Sequence, residues 1–394
     1  MKILQVHNYY QHPGGEYVVV QNEYSLLTSH GNEVYQYLKS NNKIQEYSLI
    51  KKAKLFFSTT FSHQSYSKLY HIIKRIKPDI CHVHNIFPLI SPAVYKICSD
   101  MNIPVIQTLH NYRLICTNAY LLRNGRICDE CNSHNLYHSV KYGCYRKSKI
   151  QTWALARSIE KNRNQGIWNK KINKYITLTK FAMQKFIEGG LPADKIVVKP
   201  NFIVDPFNKK LTNSQMQKGA LFVGRLSEEK GLRVLLQAFK SLPGVKLTIV
   251  GDGPLKEWVV QHTRKFSNVL YTGRLPKEEV FKNMIEASFL VFPSQLYETF
   301  GMVAIEAFAC GLPAIASRQG AMAEIVEDGR TGLLFEPGNA EDLADKVAWA
   351  LAHPQKMAEM GKEARREYEE KYTPVRNYQM LMQIYESAIA KHKR

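Results

Sequence analysis

Nowhere in the 394 residues does an apolar run approach the ~20 residues needed to cross a bilayer. The opening MKILQVHNYY has no charged leader, no apolar core of signal length and no small-residue cleavage site, and enters a strand-like run directly. A cytoplasmic protein is expected, with any membrane contact peripheral and on the inner face. There is no G-x-G-x-x-G after the first strand and no G-x-x-x-x-G-K-[ST], which counts against dehydrogenase and P-loop readings. With no recognised nucleic-acid module either, a nucleic-acid partner is not expected. The seven cysteines, in a reducing compartment, do not read as a disulfide framework.

Acidic side chains are scarce in one half only. Residues 1–200 hold 28 Lys or Arg against 11 Asp or Glu, residues 201–394 hold 26 against 23, and the whole chain carries +20. That balance implies a negatively charged partner met by the first half: nucleic acid, an anionic membrane face or a phosphorylated substrate, among which composition does not choose. Within it, KKAKLFFSTTFSHQSYSKLYHIIKRIK (51–77) has seven basic residues, five Phe or Tyr and no acid. Such a mixture suits anionic phosphates at an apolar boundary, and equally a solvated helical face with ordinary core aromatics.

At 45% hydrophobic content the chain can bury large cores, and its length favours two domains, with three as the alternative. Short β-branched runs alternate with helical patterns, the signature of βαβ units and parallel sheets. The first series is KILQV (2–6), EVYQYL (33–38), DICHV (79–83), PVIQTL (104–109) and KYITLT (174–179). The pattern then restarts with GALFVGR (219–225), VKLTIVGDG (245–253), NVLYTGR (268–274), SFLVFPS (288–294) and LPAIAS (312–317). The polar segment 205–218 separates the two series, and 373–394 reads as a closing helix. Three strands of the second series run into Gly224, Gly251 and Gly273, so the chain turns where ligands bind in open α/β sheets.

The stretch SQLYETFGMVAIEAFACGLP (294–313) carries two carboxylates seven residues apart in an otherwise apolar setting. Its helical part begins near Gly301, with Thr299 as the expected N-cap, so that backbone N–H groups and the positive dipole end meet an anion. Glu298 lies at that mouth. Glu306 lies inside the helix, where a carboxylate must be paired or meet a ligand's hydroxyls. In FVGRLSEEKG (222–231), Arg225 and Lys230 supply two cations at the same strand-end edge, unless Glu228 and Glu229 pair with them. The Gly14–Gly15 pair precedes an apolar helical pattern and brings backbone amides toward a phosphate or sugar, although such pairs are commonly mere turns. His84 and His110 each follow a strand and are expected at the cleft edge. Cys116, Cys128, Cys131 and Cys144 have the spacing C-x11-C-x2-C-x12-C, which suits either a structural tetrahedral zinc or four free thiols.

Together, Glu298 and Glu306 with their spacing, VGRLSEEKG, VGDGP, HVHN and the Gly-Gly loop resemble the retaining, nucleotide-sugar-dependent glycosyltransferases of family four. The resemblance covers almost the whole chain and implies the GT-B fold: two facing Rossmann-like α/β domains with mainly parallel sheets. It implies an acceptor domain over 1–204 with a Cys-rich insertion at 113–146, a donor domain over 205–372, and a helix over 373–394 crossing back to the first domain.

By the same resemblance, Glu298 would bind the donor sugar's hydroxyls and Glu306 the ribose, while Arg225 and Lys230 neutralise the diphosphate. Phe300, Gly301, Met302 and Val303 would reach the phosphates and sugar beside the strand-end glycines Gly224 and Gly251, Gly14 and Gly15 would contact phosphate, and His110 would stand near the reacting sugar. The implied reaction retains anomeric configuration, uses a UDP- or GDP-sugar and no catalytic metal, and serves a lipid-linked or polysaccharide acceptor. Two alternatives stand beside it: a sugar phosphorylase or epimerase on the same fold, and a basic nucleic-acid-binding α/β protein. The Cys-rich insertion and the acid-free basic segment fall outside the family pattern.

Overall fold

The alternation of strand-like and helical runs closes into two sheets, each of six parallel strands. The computed structural model describes residues 1–11, 15–133, 135–206 and 219–392, so Gly14 and most of the 205–218 segment lie outside the described residues. The strands are β1 (Lys2–Tyr9), β2 (Glu33–Ser40), β3 (Ile80–Asn85), β4 (Val105–Thr108), β5 (Leu122–Arg123), β6 (Arg126–Ile127), β7 (Lys174–Thr177) and β8 (Ile196–Val198). They continue with β9 (Ala220–Val223), β10 (Leu247–Val250), β11 (Val269–Gly273), β12 (Phe289–Phe292), β13 (Ala314–Ser317) and β14 (Gly332–Phe335).

Two compact units result. One comprises residues 1–123, 128–200 and 377–394, the other 124–127 and 201–376. The first contains the sheet β2-β1-β3-β4-β7-β8, whose chain order reverses between β1 and β3. The closing helix Pro374–His392 sends Leu381, Tyr385 and Ala388 into the core over this sheet, against Ile3, Ile80, Ile106 and Ile176. The second contains β11-β10-β9-β12-β13-β14, reversing between β9 and β12. At such a reversal the two following loops part in opposite directions and leave a crevice at the strand ends.

The ten strands expected from the sequence are all present, with shifted ends. Those missed from the sheets are β8 and β14, the last strand of each. β8 is only three residues long, and β14 begins on a glycine, so neither offers a long alternating run. Two glycines of the second unit are demanded by backbone packing. A Cβ on Gly251 (φ +151°) would lie 1.9 Å from the Gly224 carbonyl oxygen, and one on Gly231 (φ +72°) would lie 1.8 Å from that of Pro293. The strand-end loops therefore pack backbone on backbone.

In the basic segment, helices form over Leu49–Ser58 and His63–Ile76, capped by the Ser48 and Ser62 side chains. Leu69, Ile73 and Ile76 pack inward, whereas Ile50 and Phe57 are exposed. No described helix is long and apolar enough to cross a membrane.

Candidate functional site

In the second unit, the loops after β9 and β12 flank the reversal point, and they carry Arg225, Lys230 and Glu298. Lys230 closes a short turn over Glu228–Lys230 and donates from Nζ to Glu298 Oε1 at 2.5 Å, while Ser294 Oγ donates to the same oxygen at 2.8 Å. Glu228 and Glu229 do not hold the cations: Glu228 pairs with Arg233, and Glu229 accepts from Ser227 Oγ. Arg225 is exposed, and its guanidinium makes no hydrogen bond or ion pair among the described residues.

The helix after β12 begins later than its sequence suggests. It spans Met302–Ala309, with Gly301 and not Thr299 at the cap and no side-chain cap bond. The reason is steric. A Cβ on Gly301 would lie 2.1 Å from Met322 Cε, so the chain enters the helix through a glycine pressed against Met322. The N–H groups of Met302 and Val303 consequently carry no side-chain cap, a ready site for an anion. Phe300 is buried, edge-on to Tyr372.

Glu306 lies one turn further on. Its carboxylate makes no hydrogen bond or ion pair among the described residues, and it borders a pocket of about 530 Å³ with Val223, Arg274, Leu275, Pro276, Lys277, Val280 and Phe281. Burial pushes its pKa from 4.5 up to about 7, with the Lys277 charge acting the other way. A half-desolvated carboxylate aimed at an open pocket gains most from hydroxyl donors brought by a ligand. Sequence reasoning missed Arg274 and Lys277. A signal was there, since YTGRL (271–275) repeats the G-R-L of FVGRL (222–226) at the end of another strand.

In the first unit, β1, β3 and β4 bring four histidines together. His7, His82 and His84 are buried, and His110, just past β4, is partly accessible. His84 is therefore not at the edge; it lies behind His110, with His84 Nδ1 and His110 Nε2 3.0 Å apart. His82 spends both ring nitrogens on Tyr385 Oη and Thr108 Oγ1, each at 2.7 Å. Burial lowers all four imidazole pKa values, those of His7 and His82 to about 4, so the rings are neutral at physiological pH.

Glu23 stands among them, 3.2 Å from Lys199 Nζ and 3.3 Å from His84 Nε2. Among the described residues Glu23, His82 and His84 alone gather three potential metal ligands within 4.8 Å. The set does not fit a cation, because the Lys199 ammonium already balances the carboxylate and His82 has no nitrogen to spare. Gly15 opens the helix Gly15–Ser29, and Glu16 beside it lies 3.6 Å from His7, its pKa raised to about 8 by burial.

All seven cysteines are free thiols. Cys116, Cys128, Cys131 and Cys144 do line one small cavity with His138. No three of the sulfurs come within 4.8 Å of one another, and Cys116 donates to Asn118 Oδ1 at 2.9 Å. Of the two alternatives, the structure therefore does not support zinc: the thiols meet as neighbours around a space, without the close mutual approach of a tetrahedral set.

Comparison with known proteins decides the family. The model described as Glycosyltransferase Family 4 matches residues 13–205, and that described as Glycosyl transferases group 1 matches residues 204–367. The chain belongs to glycosyltransferase family four. An uncharacterised glycosyltransferase of Methanocaldococcus jannaschii is 28% identical over 400 residues, covering 98% of each chain. The sulfoquinovosyl transferase of Arabidopsis thaliana is 27% identical over 333 residues, 79% of this chain, and the match spans 58% of that protein's length. The solved structure of Anabaena HepE in complex with UDP aligns with a TM-score of 0.69 at 18% identity, covering 98% of this chain and 100% of that one. This family-four chain has the GT-B fold and is a glycosyltransferase.

Proposed function

We propose that this glycosyltransferase moves a sugar from a UDP- or GDP-sugar to a lipid-linked or polysaccharide acceptor, retaining configuration at the anomeric carbon. One observation carries the reading: the unpartnered Glu306 carboxylate on the pocket shared with Arg274 and Lys277. A ribose would bring it two vicinal hydroxyl donors, and the base would lie against Leu275, Pro276 and Val280. The diphosphate would then meet the N–H groups of Met302 and Val303 and the cations Arg225 and Lys230. As Lys230 turns to the phosphates, Glu298 keeps Ser294 and becomes available to the donor sugar's hydroxyls.

In this reading residues 205–372 bind donor and residues 1–204 receive acceptor, with His110 beside the reacting sugar. The C1–O bond to the diphosphate breaks as the acceptor oxygen approaches from the same face, and the departing phosphate takes the acceptor's proton. Arg225 and Lys230 neutralise the charge that develops on the leaving group. The complexes of HepE with UDP and with UDP-glucose support a uridine donor. The basic excess of the first half, with exposed Ile50 and Phe57 on its Lys-rich helix, supports an anionic membrane face as the working surface.

A panel of nucleotide sugars, read by thermal shift and by hydrolysis, tests the donor assignment. A UDP- or GDP-sugar should stabilise and be turned over, and Glu306→Ala should abolish both responses; full activity of that variant would refute the site. Phosphate-dependent release of sugar would indicate a phosphorylase instead. Flotation with anionic liposomes tests the surface, where absence of binding at low salt would sink the membrane assignment.

A further inference from the structure

Two stretches of the first unit contain no acid, residues 47–78 and 131–159, and folding sets them side by side. The helix Leu49–Ser58 and the helix Lys149–Asn164 meet where Phe56 stacks on Trp153, with ring centroids 5.4 Å apart and planes 15° from parallel. The junction behind the rings is hydrogen-bonded: Ser158 Oγ donates to the Thr59 carbonyl at 2.8 Å, Asn162 Nδ2 to the Thr60 carbonyl at 3.3 Å, and Arg157 Nη1 to Thr60 Oγ1 at 3.4 Å. The two helices are therefore held as one face. Inward, Lys149–Asn164 fills the core with Leu155, Ala156 and Ile159; outward, Ile150 is 73% and Trp153 39% exposed. On the neighbouring helix Ile50 is 70% and Phe57 65% exposed, seven residues apart and so on one side of the helix. Phe56 links the two pairs, since its ring also meets that of Phe57 at 5.3 Å. Single exposed apolar side chains are ordinary, but four large ones on adjoining helices mark a contact surface.

The charges around these four side chains decide the partner. Lys51 and Lys54 on the first helix and Lys149 on the second are exposed, and the Arg157 guanidinium lies over the Trp153 ring at 5.7 Å. Glu160, the acid that ends the second stretch, is buried and paired with Arg163 at 3.1 Å. A second copy of the chain, docking two-fold on this face, would bring the same four cations against themselves. Nucleic acid would answer the cations but leave Ile50 and Ile150 in water. An anionic bilayer answers both, with phosphates for the cations and the edge of the acyl region for the apolar groups. On the proposed membrane reading, we infer that the two helices dock on anionic lipid as one surface, with Ile50, Phe57, Ile150 and Trp153 entering the boundary between headgroups and acyl chains. Lys51, Lys54, Lys149 and Arg157 have stems long enough to reach the lipid phosphates from beside them. The Cys-rich insertion leads directly into the second helix, so this segment outside the family pattern helps to build the docking face.

Flotation and tryptophan fluorescence of the whole protein, with vesicles of mixed phosphatidylglycerol and phosphatidylcholine, test this surface. Taken as the difference from Trp153→Phe, the Trp153 emission should move to shorter wavelength on binding and be quenched by vesicles with brominated acyl chains. Ile150→Glu should weaken vesicle affinity by ~10-fold or more and Lys149→Gln by less, both with an unchanged melting temperature. Flotation that persists while Trp153 is neither shifted nor quenched would overturn the two-helix surface and leave the membrane reading to other residues. No flotation of the unsubstituted protein at low salt would remove both. Full affinity in Ile150→Glu would likewise overturn the surface, as would equal binding to vesicles of phosphatidylcholine alone. A Trp153 shift that appears without lipid and grows with protein concentration would overturn it in favour of a second copy of the chain.

Discussion

Glu306 and Glu23 are both carboxylates inside helices that pack on a parallel sheet, yet their surroundings are opposite. Glu306 has no partner and borders a pocket of about 530 Å³, whereas Glu23 is closed in with Lys199 and two histidines. The difference separates a carboxylate waiting for a ligand from one completed by its own chain. In a low-dielectric interior a charge must be answered, and an open pocket leaves the answer to the substrate.

Substitutions in the two places should fail in opposite ways. The largest effect on turnover belongs to the open site: Lys230→Ala should lower kcat by ~10²-fold or more, the scale of removing one donor to a developing oxyanion, while leaving the melting temperature within a few degrees. Full activity would erase the distinction. On stability the largest effect is at the closed site, where Glu23→Gln leaves Lys199 buried without its counter-charge and should cost ~3–5 kcal/mol in denaturant unfolding. Glu306→Gln should by contrast leave the unliganded protein as stable or slightly more so, and lose only the stabilisation by nucleotide.

The pH response sharpens the same contrast. Because the folded pKa of Glu306 is raised from 4.5 to about 7, the fold binds that proton more tightly than the unfolded chain does. Its contribution to stability is complete below pH 4.5 and is lost as pH rises through about 7. Nucleotide affinity should move the other way, strengthening as the carboxylate ionises and becomes an acceptor for hydroxyls. Calorimetric titration at a series of pH values should show that trend in the unsubstituted protein and its loss in Glu306→Gln. The smallest effect is expected at the thiol cavity, where incubation with a chelator should leave the melting temperature unchanged; a large drop would restore the metal site.

Much of this was legible in the residues themselves. Short β-branched runs marked strands of both sheets, three of them in the second series ending at a glycine, and a carboxylate among Ala, Ile and Phe marked Glu306 as a group needing a partner. The less legible parts depended on what folding brings side by side. Thr299 has the right chemistry for a cap, but the packing of Gly301 against Met322 sets the helix start at Met302. The cysteine spacing suits zinc, and the loop does gather the four residues around one cavity, but no three of the sulfurs lie within 4.8 Å of one another. Arg274 and Lys277 are far from Glu306 in sequence and meet it only across the strand-end pocket.

By itself, then, the sequence determined the α/β class, the two strand series and the chemical identity of the residues at their ends, because hydrophobic period and turn chemistry are local properties. Which of those residues face one another was decided by tertiary structure. The strand order reverses between β9 and β12 and between β1 and β3, so loops distant in the chain share one crevice within each unit. Burial, a property of the assembled core, then gave Glu23 its partner and left Glu306 without one.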